Sequence, residues 1–266
     1  MRPLPKRNLT FLLLMFAFSS LPYDLIIHTG HIGAGNGLMG SLVMWCPGFA
    51  AFATCGLFKI DPSTLGWKWR PARYQAWAYV IPILYALPVC VYVWGTIRGS
   101  FAFSAFADPL ATAFGFPDHP RAVALFLAIP GYATLSIIGR TPRPLGEEIG
   151  WRGFLFPRRV RQTGFTWACL INGCMWAVGH YPGLLFADCN AGTQPAFALT
   201  CFTLMVFAAS FIWGCLRPKS GSPWSAAILH ARHNIFIQII FDGMTAPVGL
   251  TPGRSTSLPN SAQDWY

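Results

Sequence analysis

Gly146-Glu147-Glu148-Ile149-Gly150-Trp151-Arg152 holds both glutamates of a 266-residue chain that is 54% hydrophobic and only 11% charged. A solvated surface spreads its acids, whereas this chain gathers its glutamates at one point, four residues from an arginine. Mean hydropathy of +0.45 with 15% aromatic residues excludes an ordinary soluble domain and indicates a polytopic membrane protein. In or beside a bilayer, ionisable groups are costly and mark functional sites. Glu147 and Glu148 are therefore where the chemistry is expected.

Crossing the hydrocarbon takes about 20 apolar residues per helix. Outward from the glutamates, runs at 9–27, 37–58, 76–96, 122–139, 165–186, 196–216 and 224–241 meet that need. The reading is an all-α polytopic bundle of about seven transmembrane spans. It divides into N-terminal spans and loops (1–120), a catalytic bundle (121–243) and a flexible, Pro/Ser-rich tail (244–266).

A net charge of +10 raises the question of nucleic acid, but fifteen of the nineteen Lys and Arg lie before span one or in alternate connections. Examples are Lys6 and Arg7, Lys59 and Lys68, Arg158 and Arg161, and Arg217. That alternation is the positive-inside pattern and places the N-terminus in the cytoplasm, with the cell (inner) membrane as the site. The partner this pattern implies is the bilayer, with no nucleic acid. Span one also has the form of a cleaved signal peptide, with Arg2, Lys6 and Arg7 ahead of a short apolar core. The apolar run continues to Ile27, however, which favours a retained span. Eight cysteines form no CxxC pair and fall mostly in apolar runs, where Cys acts as a small hydrophobe. Residues 108–120, interrupted by Pro109, Pro117 and Pro120, read as an outer loop.

Pro142 and Pro144 end span four, and 145–156 begins a helix that dips into the cytoplasmic side of the bundle. Four-residue spacing makes Glu148 and Arg152 helical neighbours able to pair. Glu147 is rotated by about 100° from Glu148 and shares that arginine less, which leaves it suited to act as a general base on water. Trp176 and His180 share a face of span five. By linear counting, though, His180 lies towards the outer half, away from the glutamates. Span seven carries Ser225, His230, Arg232, His233 and Asn234. His230 and Asn234 present one face with donors for a developing oxyanion. Each feature alone has an ordinary packing explanation; three on separate apolar segments converge on a buried polar site.

Glu147-Glu148-x-x-x-Arg152, Trp176-x-x-x-His180 and His230-x-x-x-Asn234 together resemble the CAAX prenyl endopeptidase and bacteriocin-processing (CPBP, or Abi) family, over residues 121–242. Trp176 stands where the family usually has Phe, a change of bulk at a packing position. The resemblance implies an all-helical intramembrane endopeptidase acting on a membrane-associated peptide or protein substrate. Glu147 activates water with help from His180, Glu148 holds Arg152, and His230 and Asn234 form the oxyanion hole. Family membership is compatible with glutamate-dependent or metal-dependent catalysis. Glu147, His180 and His230 offer a possible zinc set, but no HExxH is present. The residues favour a route without cofactor, and His233 is not expected as a ligand. Two other classes fit part of the pattern: a catalytically silent immunity or partner-binding membrane protein, and a proton- or cation-coupled transporter. A transporter of that kind calls for paired, broken segments in two related halves, and no such symmetry is visible.

Overall fold

A computed structural model describes residues 5–69, 71–189 and 193–246. Most of the tail expected at 244–266 lies outside them. Among the described residues the regular structure is helical, with one isolated bridge, Phe101 to Thr245, in place of any strand. Four helices are long and apolar enough to cross a membrane: Lys6–Thr29, Leu38–Leu57, Ala72–Thr96 and Pro195–Ser220. Phe165–Phe186 is long enough but carries Asn172, His180 and Pro182, which dilute its apolar character. The expected span at 122–139 is a succession of short helical pieces around a π-helical turn, Ala124–Ala128. The span at 224–241 passes from α-helix Pro223–His233 into a π-helix, Asn234–Phe241. Large apolar side chains face outwards, among them Leu13, Leu21, Phe126, Ile138 and Leu204. An apolar exterior of this extent belongs in lipid.

The outer loop expected at 108–120 is shorter than the prolines suggest, because Phe103–Ala113 is a helix that includes Asp108 and Pro109. Its buried face, Phe106, Ala107 and Ala111, outweighs the backbone bond that Pro109 removes. Only from Phe114 does the chain leave the helix.

The chain forms two compact units. The first takes in the residues up to Gln75 together with Pro142–Ala227. The second takes in Ala76–Thr141 together with the chain from Ile228. In the second, Phe106, Ala124, Ile235, Phe236 and Phe241 form an apolar core. Arg232 is buried there beside the rings of Tyr79 and Phe236 and donates to the carbonyls of Ala133 and Tyr132.

The first unit is organised around a backbone contact. A Cβ on Gly146 would lie 2.7 Å from Trp45 Cα, and one on Gly150 would lie 2.5 Å from the Pro47 carbonyl. Four residues apart, these two glycines give the glutamate segment a flat face, and the helix Leu38–Leu57 lies directly on it. The indole of Trp45 adds a hydrogen bond to the Pro142 carbonyl at 3.1 Å. Each of Gly146→Ala and Gly150→Ala is expected to destabilise the purified protein by about 1–3 kcal/mol, since the neighbour to be displaced is backbone. Thermal melting in detergent measures this; melting points equal to wild type would refute the contact.

Candidate active site

The glutamate segment is helical throughout but not uniform. Pro142–Glu148 is α-helix, Ile149–Leu155 is π-helix and Phe156–Thr163 is α-helix again. Pro142 stands at the start of the first piece, where a missing N–H costs nothing. π-Helical turns are rare and concentrate at functional sites. This one begins directly after Glu148 and contains Arg152, and a second begins at Asn234. Hydrophobic periodicity alone gives no sign of either.

Glu148 and Arg152 are both fully buried and pair at 3.2 Å. Glu147 is 3% exposed and accepts a hydrogen bond from Trp176 Nε1 at 2.8 Å through Oε2. Arg152 is also within electrostatic reach of Glu147. Its guanidinium lies 4.5 Å from the centre of the Trp176 ring, a cation–π contact. One indole therefore donates to one carboxylate through its edge and presents its face to the partner of the other. The reading of Trp176 as a change of bulk alone is corrected: its N–H bonds the carboxylate, which Phe cannot do. The signal was available, because a buried indole N–H needs an acceptor.

His180 follows one turn after Trp176. Its Nδ1 is 2.9 Å from the Trp176 carbonyl, and its ring packs against Phe202. The residue one turn before His180 touches Glu147. Behind Arg152, Arg217 Nε donates to the Arg152 carbonyl at 2.6 Å, and Arg217 Nη2 donates to the Leu65 carbonyl at 3.2 Å. Arg217 had been read only as part of the topology signal.

Glu147, Glu148, Arg152, Trp176 and His180 all belong to the first unit, and His230 and Asn234 belong to the second. His230 is buried and Asn234 half-buried, on either side of the junction from α- to π-helix. Other polar residues of this stretch have local partners. Ser225 joins Ser220 and Ser222 in the turn before the helix, and His233 Nδ1 meets the Tyr85 hydroxyl. Among the described residues no three His, Cys, Asp or Glu side chains are placed to hold a metal ion.

Removing one member of a buried ion pair strands the other charge. Arg152→Ala is expected to cost about 3–5 kcal/mol of stability, read as a lowered melting temperature. A melting profile equal to wild type would show that the pair carries no stability.

Residues 123–236, somewhat under half of the chain, match the family model described as Rce1-like, Type II CAAX prenyl endopeptidase Rce1-like. No curated protein and no solved structure matches the chain. The matched stretch contains the Glu147–Arg152 segment, Trp176 and His180, and His230 and Asn234. Over residues 123–236, this integral membrane protein is similar to the Rce1-like CAAX prenyl endopeptidases, which supports its membership of the CPBP family.

Proposed function

We propose that the chain is an intramembrane endopeptidase that hydrolyses a peptide bond of a membrane-associated substrate, with Glu147 as general base. The observation that carries this reading is a buried carboxylate, fixed by the Trp176 indole beside a separate Glu148–Arg152 ion pair. Two adjacent glutamates thus have different environments. One is fixed by the arginine. The other is oriented through Oε2 and has Oε1 for a water.

In the proposed reaction Glu147 takes a proton from water as the water oxygen adds to the substrate carbonyl carbon. The resulting tetrahedral oxyanion is stabilised by donors from His230 and Asn234. Collapse breaks the C–N bond, and the proton held by Glu147 passes to the departing amine, leaving a carboxylic acid and an amine. His180 assists the proton transfer, and no cofactor takes part. Arg152 and Glu148 order the segment and take no proton.

The catalytic bundle is proposed to span 121–243, after N-terminal spans and loops in 1–120. We further propose seven crossings of the cell membrane with a cytoplasmic N-terminus. Within the first unit, connections of the same parity meet. His31 and Asp188, from the first and fifth, pair at 3.1 Å, while Trp224 reaches the Trp67 carbonyl of the second from the start of the last span. Within the second unit, Ala102 of the third connection bonds Met244 at the end of the last span. Each pairing joins segments that seven crossings would place on the same side.

Hydrolysis of quenched, membrane-inserted peptides by detergent-purified protein, with and without chelator, tests the reading. Glu147→Gln is expected to lower turnover by about 10²–10⁴-fold while the protein stays folded. Unchanged turnover in that variant would remove Glu147 as base. Chelator-sensitive cleavage restored by Zn²⁺ would replace the metal-free route, and absence of cleavage across the panel would favour a silent, partner-binding role. Trp176→Phe is expected to lower kcat about tenfold, the equivalent of one hydrogen bond to a charged group, with KM within about twofold. An unaltered kcat would show that the indole does not position the base.

A further inference from the structure

At the end of the first unit opposite the His31–Asp188 pair lies a cavity of about 880 Å³. Its walls come from segments far apart in sequence: the start of the first helix, the stretch after Leu38–Leu57, the helix Phe156–Thr163 and the end of Pro195–Ser220. Five cationic side chains line it, Lys6, Arg7, Arg158, Arg161 and Arg217, and among the described residues no Asp or Glu does. Asp61 lies in the chain between the lining residues Ile60 and Thr64, but Ser63 engages it through both hydroxyl and amide. Those two bonds, the hydroxyl's first, hold its carboxyl below the usual range.

Like charges brought this close repel one another, and an anion between them relieves that repulsion. Burial lowers the Arg158 pKa from its ordinary value, and Arg161 and Arg7 push it in the same direction. Arg158 is held in place nonetheless: its Nη1 donates to the Phe154 carbonyl at 2.7 Å, and its guanidinium stacks 3.9 Å from the Phe154 ring. Arg7 rests near Phe58. A preorganised set of guanidinium groups matches the oxygens of a phosphate, which accepts paired hydrogen bonds. Basic pockets between helices at the cytoplasmic surface take anionic headgroups.

We propose that this cavity is a binding site for a phosphate-bearing anion, either the headgroup of an acidic lipid or soluble phosphate. The position ties it to the glutamate segment. Gly153 of the π-helical turn lines the cavity, and Arg217 faces the cavity while donating to the Arg152 carbonyl. A phosphate there neutralises the cations packed against that turn.

The test is titration of the full-length, detergent-purified protein with dioctanoyl phosphatidylglycerol, dioctanoyl phosphatidylcholine and inorganic phosphate, followed by native mass spectrometry. One phosphatidylglycerol is expected to bind saturably, at least about tenfold more tightly than phosphatidylcholine. Arg7 and Arg161 are exposed, so Arg7→Gln with Arg161→Gln is compatible with folding. A matching melting temperature verifies that, and the double variant is expected to weaken binding by about 25-fold, roughly fivefold per cation. Lys219→Gln, at an exposed cation outside the cavity, is expected to change nothing. Displacement of the lipid by inorganic phosphate would support the site with soluble phosphate as ligand, and resistance to displacement would support it with the lipid headgroup. Absence of saturable binding, or equal loss in Lys219→Gln, would overturn the proposal.

Discussion

The backbone contact between the glutamate segment and the helix Leu38–Leu57 is the constraint on which the first unit depends. Gly146 and Gly150 lack side chains, so the two helices meet at distances that a methyl group would prevent. That approach presses the stretch between the glycines, Glu147-Glu148-Ile149, into the protein interior. Lipid supplies no hydrophobic drive for helices to associate, so close packing of small residues must provide it. The contact that holds the helices together is also the one that buries the carboxylates.

Burial at that depth has a cost, and the side chains around it show how it is met. Glu148 and Arg152 offset each other's charge, and Arg217 satisfies the Arg152 carbonyl, which the widened turn leaves available. Glu147 receives one donor, an uncharged indole. The difference between the two glutamates follows from these partners. Glu148 meets a full positive charge, whereas Glu147 meets the edge of a neutral ring.

Much of this was legible in the sequence. The confinement of both glutamates to one apolar segment singled that segment out, and the four-residue spacing to Arg152 gave the pair. Membrane character followed from the apolar runs. The π-helical turns were not legible, because an inserted residue alters backbone bonding without altering which residues are apolar. The extent of Phe103–Ala113 was hidden for a related reason: Pro109 looks like a break until its helix is seen to bury Phe106 and Ala111. Two further features were present in the letters but unread. Gly146-x-x-x-Gly150 is a packing face, and Trp176 is a hydrogen-bond donor as well as a bulky ring.

The same glycine face bears on how the protein is made. Its partner, Trp45–Gly48, leaves the ribosome well before Gly146, and residues 49–145 must be inserted between the two. Until then the helix Leu38–Leu57 carries a surface shaped for a backbone that has not been synthesised. The family-matched stretch 123–236 does not contain that partner, so its glutamate segment docks on a surface supplied by the part of the chain that lies outside the match.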